Sequence, residues 1–404
     1  MHGLRPDGYV LFATRIVRMF AYGFLSVVLV LYLADVGLSD TVIGVLLSLT
    51  LLGDTVISLW VTTGADRIGR RRMLILGALL MLFAGAIFAF TNNIILLIIA
   101  AIIGVISPSG YEVGPFLAIE QAALTQTLPD ERRTGIFAWY NLIGSFATAL
   151  GALAGGALPH FLQRAGTSTL NSYRAVVLAY AAMGVVLALM FARLSSAVEA
   201  SKTDAPIPQT RFGLHRSRGV VLKLSALFGL DAFAGGFVMQ SIVAYWFHIR
   251  FGVETATLGG IFFGANLLDG VSALAATWVA RKIELVNTMV FTHLPSNVLL
   301  ILVPLMPNLP LAIAVFLLRF SISQMDVPTR QSYTMAVVAP DERSAAGGVT
   351  GIARTVGAAL SPALAGVFIS NPVLMSAPFL VAGGLKVLYD LLLFRGFRSL
   401  RTAT

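Results

Sequence analysis

Three carboxylates stand deep inside long apolar runs: Glu112, Asp231 and Asp326. An ionisable group is costly in hydrocarbon, so each is a candidate for function. A carboxylate in a low-dielectric cavity can load and release a proton near neutral pH, which makes these three the candidates for proton coupling. Arginine keeps its charge and cannot carry that proton. Arg15, Arg18, Arg319 and Arg330 are therefore read as counter-charges or as ligands for an anion. Arg15 and Arg18 are spaced i, i+3, with Tyr22 a turn further on, and share one helical face. Arg319, Ser323, Asp326 and Arg330 fall at i, i+4, i+7 and i+11, one continuous helical stripe that predicts a row of side chains facing a watery cavity, with Pro328 bending the helix just beyond the acid. Glu112 and Glu120, at i and i+8, are expected on one face of a helix bent by Pro108 and Pro115. Asp54 and Asp269 are further intramembrane acids, either functional or locked in structural ion pairs, and Arg354, Lys386 and Asp390 complete the set.

The elements that must position these groups are membrane helices. The chain has 404 residues, 57% of them hydrophobic and only 12% charged, against about 25% charged in a soluble domain. The apolar runs are too long and too numerous for a water-soluble core, and they lack the alternation of a barrel strand. The sequence predicts an all-α polytopic membrane protein with twelve transmembrane helices, near 9–34, 41–62, 73–91, 94–126, 135–158, 173–194, 219–247, 256–278, 287–306, 309–337, 344–370 and 378–395. The polar segment 195–218 reads as a linker, giving an N-terminal six-helix bundle over 1–194 and a C-terminal one over 219–404. The first run is too long for a signal peptide and has no cleavage site, so it is expected to stay. With no cysteine there is no disulfide or thiolate metal site.

The net charge of +9 follows from topology rather than from a nucleic-acid partner. On the N-terminal side fall Arg5, Arg67, Arg70, Arg71, Arg72, Arg132, Arg133, Arg193, Lys202, Arg211, Arg216, Arg218, Arg281, Lys282, Arg343, Arg395, Arg398 and Arg401, against Arg164, Arg174 and Arg250 on the other. The bias predicts that both termini and the linker are cytoplasmic. By the same topology Glu120 and Arg330 lie near cytoplasmic ends, within reach of headgroups.

The halves repeat. PDERRTGIFAWYNLIGSFATALGALAG (129–155) aligns without gaps on PDERSAAGGVTGIARTVGAALSPALAG (340–366), and GLSDTVIGVLLSLTLLGD (37–54) on GVETATLGGIFFGANLLD (252–269), pairing Asp54 with Asp269. Internal repeats in a polytopic membrane protein point to a transporter built from two related bundles.

Between the second and third runs the sequence reads TTGADRIGRRRML (62–74). Asp66, Arg67, Gly69, Arg70, Arg71 and Arg72 resemble the signature loop of the major facilitator superfamily, with Thr62 where that family usually has glycine. An acid at a helix end can face the positive N-terminus of a neighbouring helix or a nearby arginine, and the basic run holds the loop to the anionic leaflet, so the loop is read as a gate. In the second half, ARKIELVN (280–287) has lost the pattern, with Arg281 for the Asp and Glu284 for the Gly. A Gly-rich antiporter motif of the family is matched in part by Ala147, Gly151, Ala152, Leu153, Ala154, Gly155 and Gly156.

The resemblance implies that spans 1, 4, 7 and 10 line a central cavity, where this chain's charges concentrate. It implies a secondary transporter moving a small solute by alternating access, coupled to protons, with export by antiport preferred on the partial motif. Proton-coupled uptake or exchange of an anionic solute is the alternative, and a non-transporting membrane sensor a third. No HExxH, GxSxG or P-loop pattern occurs, so neither an enzyme nor an ATP-driven pump is expected. The five histidines are scattered. The expected partners are a small solute, protons and the lipid bilayer of the plasma (inner) membrane, with no nucleic acid, cofactor or metal, and a monomeric state.

Overall fold

In hydrocarbon no water satisfies backbone polar groups, so apolar runs of this length must pair their amides internally, as helices. The computed structural model describes residues 6–127, 133–199, 215–339 and 342–397, and its regular elements are helical throughout. The first run is α1 (Pro6–Ser26) and α2 (Leu29–Asp35), bent by 44° at their junction. There follow α3 (Asp40–Ile68), α4 (Arg70–Phe90), α5 (Ile94–Ile103), α6 (Phe116–Thr127), α7 (Arg133–Arg164) and α8 (Thr169–Phe191). The second half comprises α9 (Arg218–Gly236), α10 (Gln240–Phe251), α11 (Thr255–Ile283), α12 (Leu285–Leu302), α13 (Leu309–Ser323), α14 (Asp326–Val337), α15 (Arg343–Ile369) and α16 (Ala377–Phe397). Among the described residues ten helical segments are long and apolar enough to cross a membrane, and eleven if α1 and α2 form one span. At most half of each apolar window is buried in protein. The remainder, including Trp60, Phe90, Trp139 and Trp278, is left for lipid. The Pro-Asp-Glu-Arg copy at 129–132 and much of the linker lie outside the described residues.

By its contacts the chain divides into two units, Met1–Thr203 with Met239–Phe263, and Asp204–Val238 with Gly264–Thr404. In the first, α1 packs on α7 and α8, α4 on α8, and α3 on α5. The small residues of the span-5 motif make the α1–α7 contact possible: a Cβ on Gly151 or Gly155 would collide with the carbonyl oxygen of Phe20 or Phe24. Gly156 abuts Thr255 and Gly259 of α11 in the same unit. There Gln240 also donates to Ser26 Oγ (2.8 Å) and the Tyr245 hydroxyl to Asp40 Oδ1 (2.9 Å). In the second unit α9 packs on α15, and α12 on α13, α14 and α16, around Leu224, Phe228, Met289, Val290, Tyr333 and Tyr389.

Four expected helices are interrupted: the first run between α1 and α2, the run at 219–247 between α9 and α10, and two more whose breaks fall at candidate site residues. The run at 94–126 is not a bent helix but α5 and α6 joined by a non-helical stretch over 104–115. Pro108 has no amide to donate, and Pro115 disfavours helical backbone at the residue before it. Neighbours satisfy the freed carbonyls: Tyr180 OH donates to Val105 O (2.7 Å), Tyr22 OH to Val113 O (3.0 Å), Ser107 Oγ to Tyr111 O (2.7 Å) and the Ser241 amide to Pro108 O (3.1 Å). Tyr22, expected at the cavity, is fully buried and serves this backbone. Tyr22→Phe or Tyr180→Phe leaves a buried carbonyl without that donor and should cost about 1–3 kcal/mol, read as a lower melting temperature in detergent; an unchanged melt would rule the role out. The other of these two breaks splits the run at 309–337, where α13 ends at Ser323 and α14 begins at Asp326. The continuous stripe from Arg319 to Arg330 is therefore broken in the middle.

Candidate functional site

In the first unit α1 supplies two arginines to two glutamates. Arg18 is fully buried. It donates Nη1 to Glu120 Oε1 (2.6 Å) and Nη2 to Glu120 Oε2 (2.7 Å), and its Nε reaches Glu112 Oε1 (2.9 Å). The two-pronged contact with Glu120 is the strong form of an arginine–carboxylate pair. Glu120 also accepts from Thr14 Oγ1 (3.1 Å) and from the Tyr140 hydroxyl. Arg15 pairs with Glu112 and lies over the Tyr140 ring, while Arg18 lies over Phe116. Buried charges persist only when paired in this way. Glu112 sits in the non-helical stretch and Glu120 on α6, so they do not share a helix face; Arg18 unites them. Glu120 does not reach headgroups, being wholly buried.

In the second unit Asp231 of α9 is the hub. Its Oδ1 accepts from Lys386 Nζ (2.5 Å) and its Oδ2 from Arg330 Nη1 (2.9 Å), which also lies 3.4 Å from Asp326 Oδ2. Arg330 is 3% exposed, so it too is a core ion and not a headgroup contact. His293 Nδ1 lies 2.8 Å from Asp390 Oδ1, Asn297 donates to Asp390 Oδ2 (2.8 Å), and His293 Nε2 stands 3.8 Å from Asp231 Oδ1. Asp231, His293 and Asp326 each offer one ligand atom within 4.8 Å of the others. A divalent cation there would sit beside an ammonium and a guanidinium that already hold Asp231, so the geometry suits an ion network better than a metal centre. Arg319 is half-buried and stacks on Phe320.

The repeat-related acids each touch an interruption. Asp54 accepts from Ser58 Oγ (3.4 Å) and from the Gly114 amide in the break of span 4. Asp269 accepts from Ser323 Oγ (3.3 Å), the last helical residue before the break of span 10. Sequence reasoning gave no role to His293, Asn297 or Thr14, and it counted Lys386 and Asp390 among the intramembrane charges without a partner for either. A usable signal existed: His293 with Asn297, and Lys386 with Asp390, are each one turn apart on an apolar helix.

At the signature loop Asp66 accepts from Arg70 Nε (2.8 Å), and Arg70 Nη1 also reaches Ala122 O (3.2 Å) and Val198 O (3.3 Å). Glu199 caps α4, accepting from the amides of Arg70 (2.6 Å) and Arg71 (3.3 Å), where the helix N-terminus favours an anion. Arg67 and Arg72 are exposed and Arg71 half-buried. Gly69 turns the chain at φ +116°, a conformation glycine adopts freely. At the matching position between α11 and α12 stands Glu284, at φ +70°. A residue with a Cβ pays for that backbone, so Glu284→Gly should stabilise by about 1 kcal/mol, seen as a raised melting temperature; a fall would show that the side chain outweighs the strain.

Glu342, at the start of α15, accepts from the amides of His215, Arg216 (2.8 Å) and Ser217 (2.8 Å). The Ser217 hydroxyl first, then these amides, hold its carboxyl down at about 2, from an ordinary 4.5. A lowered folded-state value stabilises above the unfolded one, so this contribution is complete above pH 4.5 and is lost as pH falls towards 2. Melting curves between pH 6 and pH 3 should therefore be flatter in Glu342→Gln than in wild type, and parallel curves would refute the linkage.

The sequence matches the family model of the Major Facilitator Superfamily over residues 11–362. It is 32% identical over 417 residues to the uncharacterized membrane protein YJR124C of Saccharomyces cerevisiae, covering 96% of this chain and 93% of the relative. The fold resembles the crystal structure of a bacterial homolog of the human lysosomal transporter Spinster in an inward-facing, occupied conformation (TM-score 0.76, 16% identity, 97% of this chain and 96% of that one). It also resembles a D-xylose-proton symporter (TM-score 0.72, 14% identity, 96% and 97%).

Proposed function

Because the chain belongs to the Major Facilitator Superfamily and is a multi-pass membrane transporter, not an enzyme, we propose that it couples a small solute to protons and exports that solute by antiport. The observation that carries this is the hub at Asp231, a buried carboxylate held by Lys386 and Arg330 with His293 and Asp326 beside it. Ionic groups this costly inside spans mark ion and solute pathways. Glu112 under Arg15 and Arg18 is the corresponding group of the first unit. The D-xylose-proton symporter has a similar fold, so proton coupling is a chemistry this fold supports. Export rests on the span-5 motif. Both termini are taken as cytoplasmic, in the plasma (inner) membrane, on the arginine and lysine asymmetry.

The test is a screen in proteoliposomes carrying an internal pH dye. Lipophilic cations such as tetraphenylphosphonium and small organic anions are added in turn under an imposed pH gradient. Proton flux triggered by a cation supports export by antiport. Flux triggered by an anion supports the second reading, uptake or exchange of an anionic solute, which one observation favours: Arg15 Nε is buried with no hydrogen-bond partner among the described residues. Solute movement that is never accompanied by protons overturns coupling, and the absence of any movement favours a sensor.

A further inference from the structure

Both oxygens of Asp231 already accept from cations, Lys386 on Oδ1 and Arg330 on Oδ2. A proton added there would have to settle beside an ammonium or a guanidinium. The neighbouring imidazole is placed differently. His293 Nδ1 has two polar neighbours, Asp390 Oδ1 at 2.8 Å and Asn297 Nδ2 at 3.0 Å, and Asn297 also donates to the other oxygen of Asp390 and holds that carboxylate in place; the charged acceptor is the nearer of the two and decides the tautomer. A carboxylate on one ring nitrogen fixes the proton on that nitrogen and aims the other. The other nitrogen, Nε2, stands 3.8 Å from Asp231 Oδ1. In the neutral ring this is a lone pair facing a carboxylate oxygen, a contact that bonds nothing; one proton on Nε2 turns it into a charged N–H facing an acceptor. The residues in direct contact also leave room for that charge. Asp231, Asp326 and Asp390 meet the fixed cations Arg330 and Lys386, with the Arg354 guanidinium of α15 acting on Asp231 and Asp326 from further off, so the directly paired groups alone carry one excess negative charge with a neutral imidazole and none with a charged one.

We propose that His293 is the proton-carrying side chain of the second unit, taking a proton from water at Nε2 and returning it, with Asp390 and Asn297 as positioning residues. Charging Nε2 makes His293 a competitor of Lys386 for Asp231 Oδ1, so the proton loosens the Lys386–Asp231 pair and frees an ammonium on α16. The groups facing the ring are Asp231 from α9, Asp326 and Arg330 from α14, and Lys386, Tyr389 and Asp390 from α16; α13, also packed on α12, brings Arg319 as its charged residue. This rests on the proton-coupled reading above and extends it by assigning the carrier to a histidine instead of to Asp231 or Asp326.

The full chain contains five histidines, so ring-15N-histidine NMR in lipid nanodiscs can assign each by single substitution, without a solute. The signal lost in His293→Gln should show one tautomer at alkaline pH, with the proton on Nδ1, and should gain its second proton between about pH 5 and 8. Asp390→Asn should mix the tautomers and move that midpoint, an effect a merely structural contact would not give. A His293 ring that keeps one charge state from pH 5 to pH 9 overturns the proposal. So does wild-type solute-driven proton flux in His293→Gln proteoliposomes that melt like wild type. If the ring titrates as expected but the wild type moves solute without protons, the coupled-transport reading fails while the titrating centre stands.

Discussion

Arg18→Met should lower the stability of the protein by about 3–5 kcal/mol, the cost of leaving a buried partner charge without its ion. Arg18 satisfies Glu120 through two nitrogens and Glu112 through a third, and among the described residues the other direct partners of Glu120, Thr14 and Tyr140, bring hydroxyls and not charge. Glu112 retains Arg15. The damage should therefore centre on Glu120, and Glu120→Gln added to Arg18→Met should recover much of the loss, because a neutral amide no longer needs a cation. Arg18→Lys should be intermediate, since an ammonium cannot reproduce the fork. The measurement is a thermal melt in detergent for the two singles and the double. A double variant less stable than Arg18→Met would show that the pair is not the unit that matters.

Asp231→Asn should abolish solute-driven proton flux and also destabilise by about 3–5 kcal/mol, because Lys386 and Arg330 would both face an amide. The two effects separate in the double variant Asp231→Asn with Lys386→Met. Removing both members of the closest pair (2.5 Å) should restore most of the melting temperature but none of the proton flux. Recovery of both would assign Asp231 a packing role alone, and recovery of neither would point to Arg330 as the dominant partner.

Much of this arrangement was legible in the sequence because hydrocarbon imposes strict rules. A run such as 173–194 or 378–395 can only be a helix, and Asp231 or Glu112 inside such a run can only persist with a partner. The signature loop was legible because Asp66 and Gly69 carry information beyond charge. What was not legible depends on three-dimensional pairing. The α-helical period put Glu112 and Glu120 on one face and Arg319 to Arg330 on one stripe, but Pro108 and Pro115 break the first helix and the chain at Gln324 and Met325 interrupts the second. Once the period is lost, spacing no longer predicts direction. Glu120 and Arg330 looked like headgroup contacts because depth was counted along the chain, whereas Arg18 and Asp231 hold them in the core. His293 with Asn297 a turn on marks a polar spot in an apolar run, but that pattern does not name the partner; its meaning comes from Asp390, 97 residues away.

The central claim is that protons move with the solute through the network at Asp231. It is tested most directly by the ratio of proton flux to solute flux in proteoliposomes, measured together in wild type and in Asp231→Asn with Lys386→Met, the pair-deleted variant that should stay folded. A fixed, non-zero ratio in wild type that collapses to zero in the variant is the predicted result. Solute flux in wild type with no accompanying protons, or the same ratio in both proteins, would contradict it.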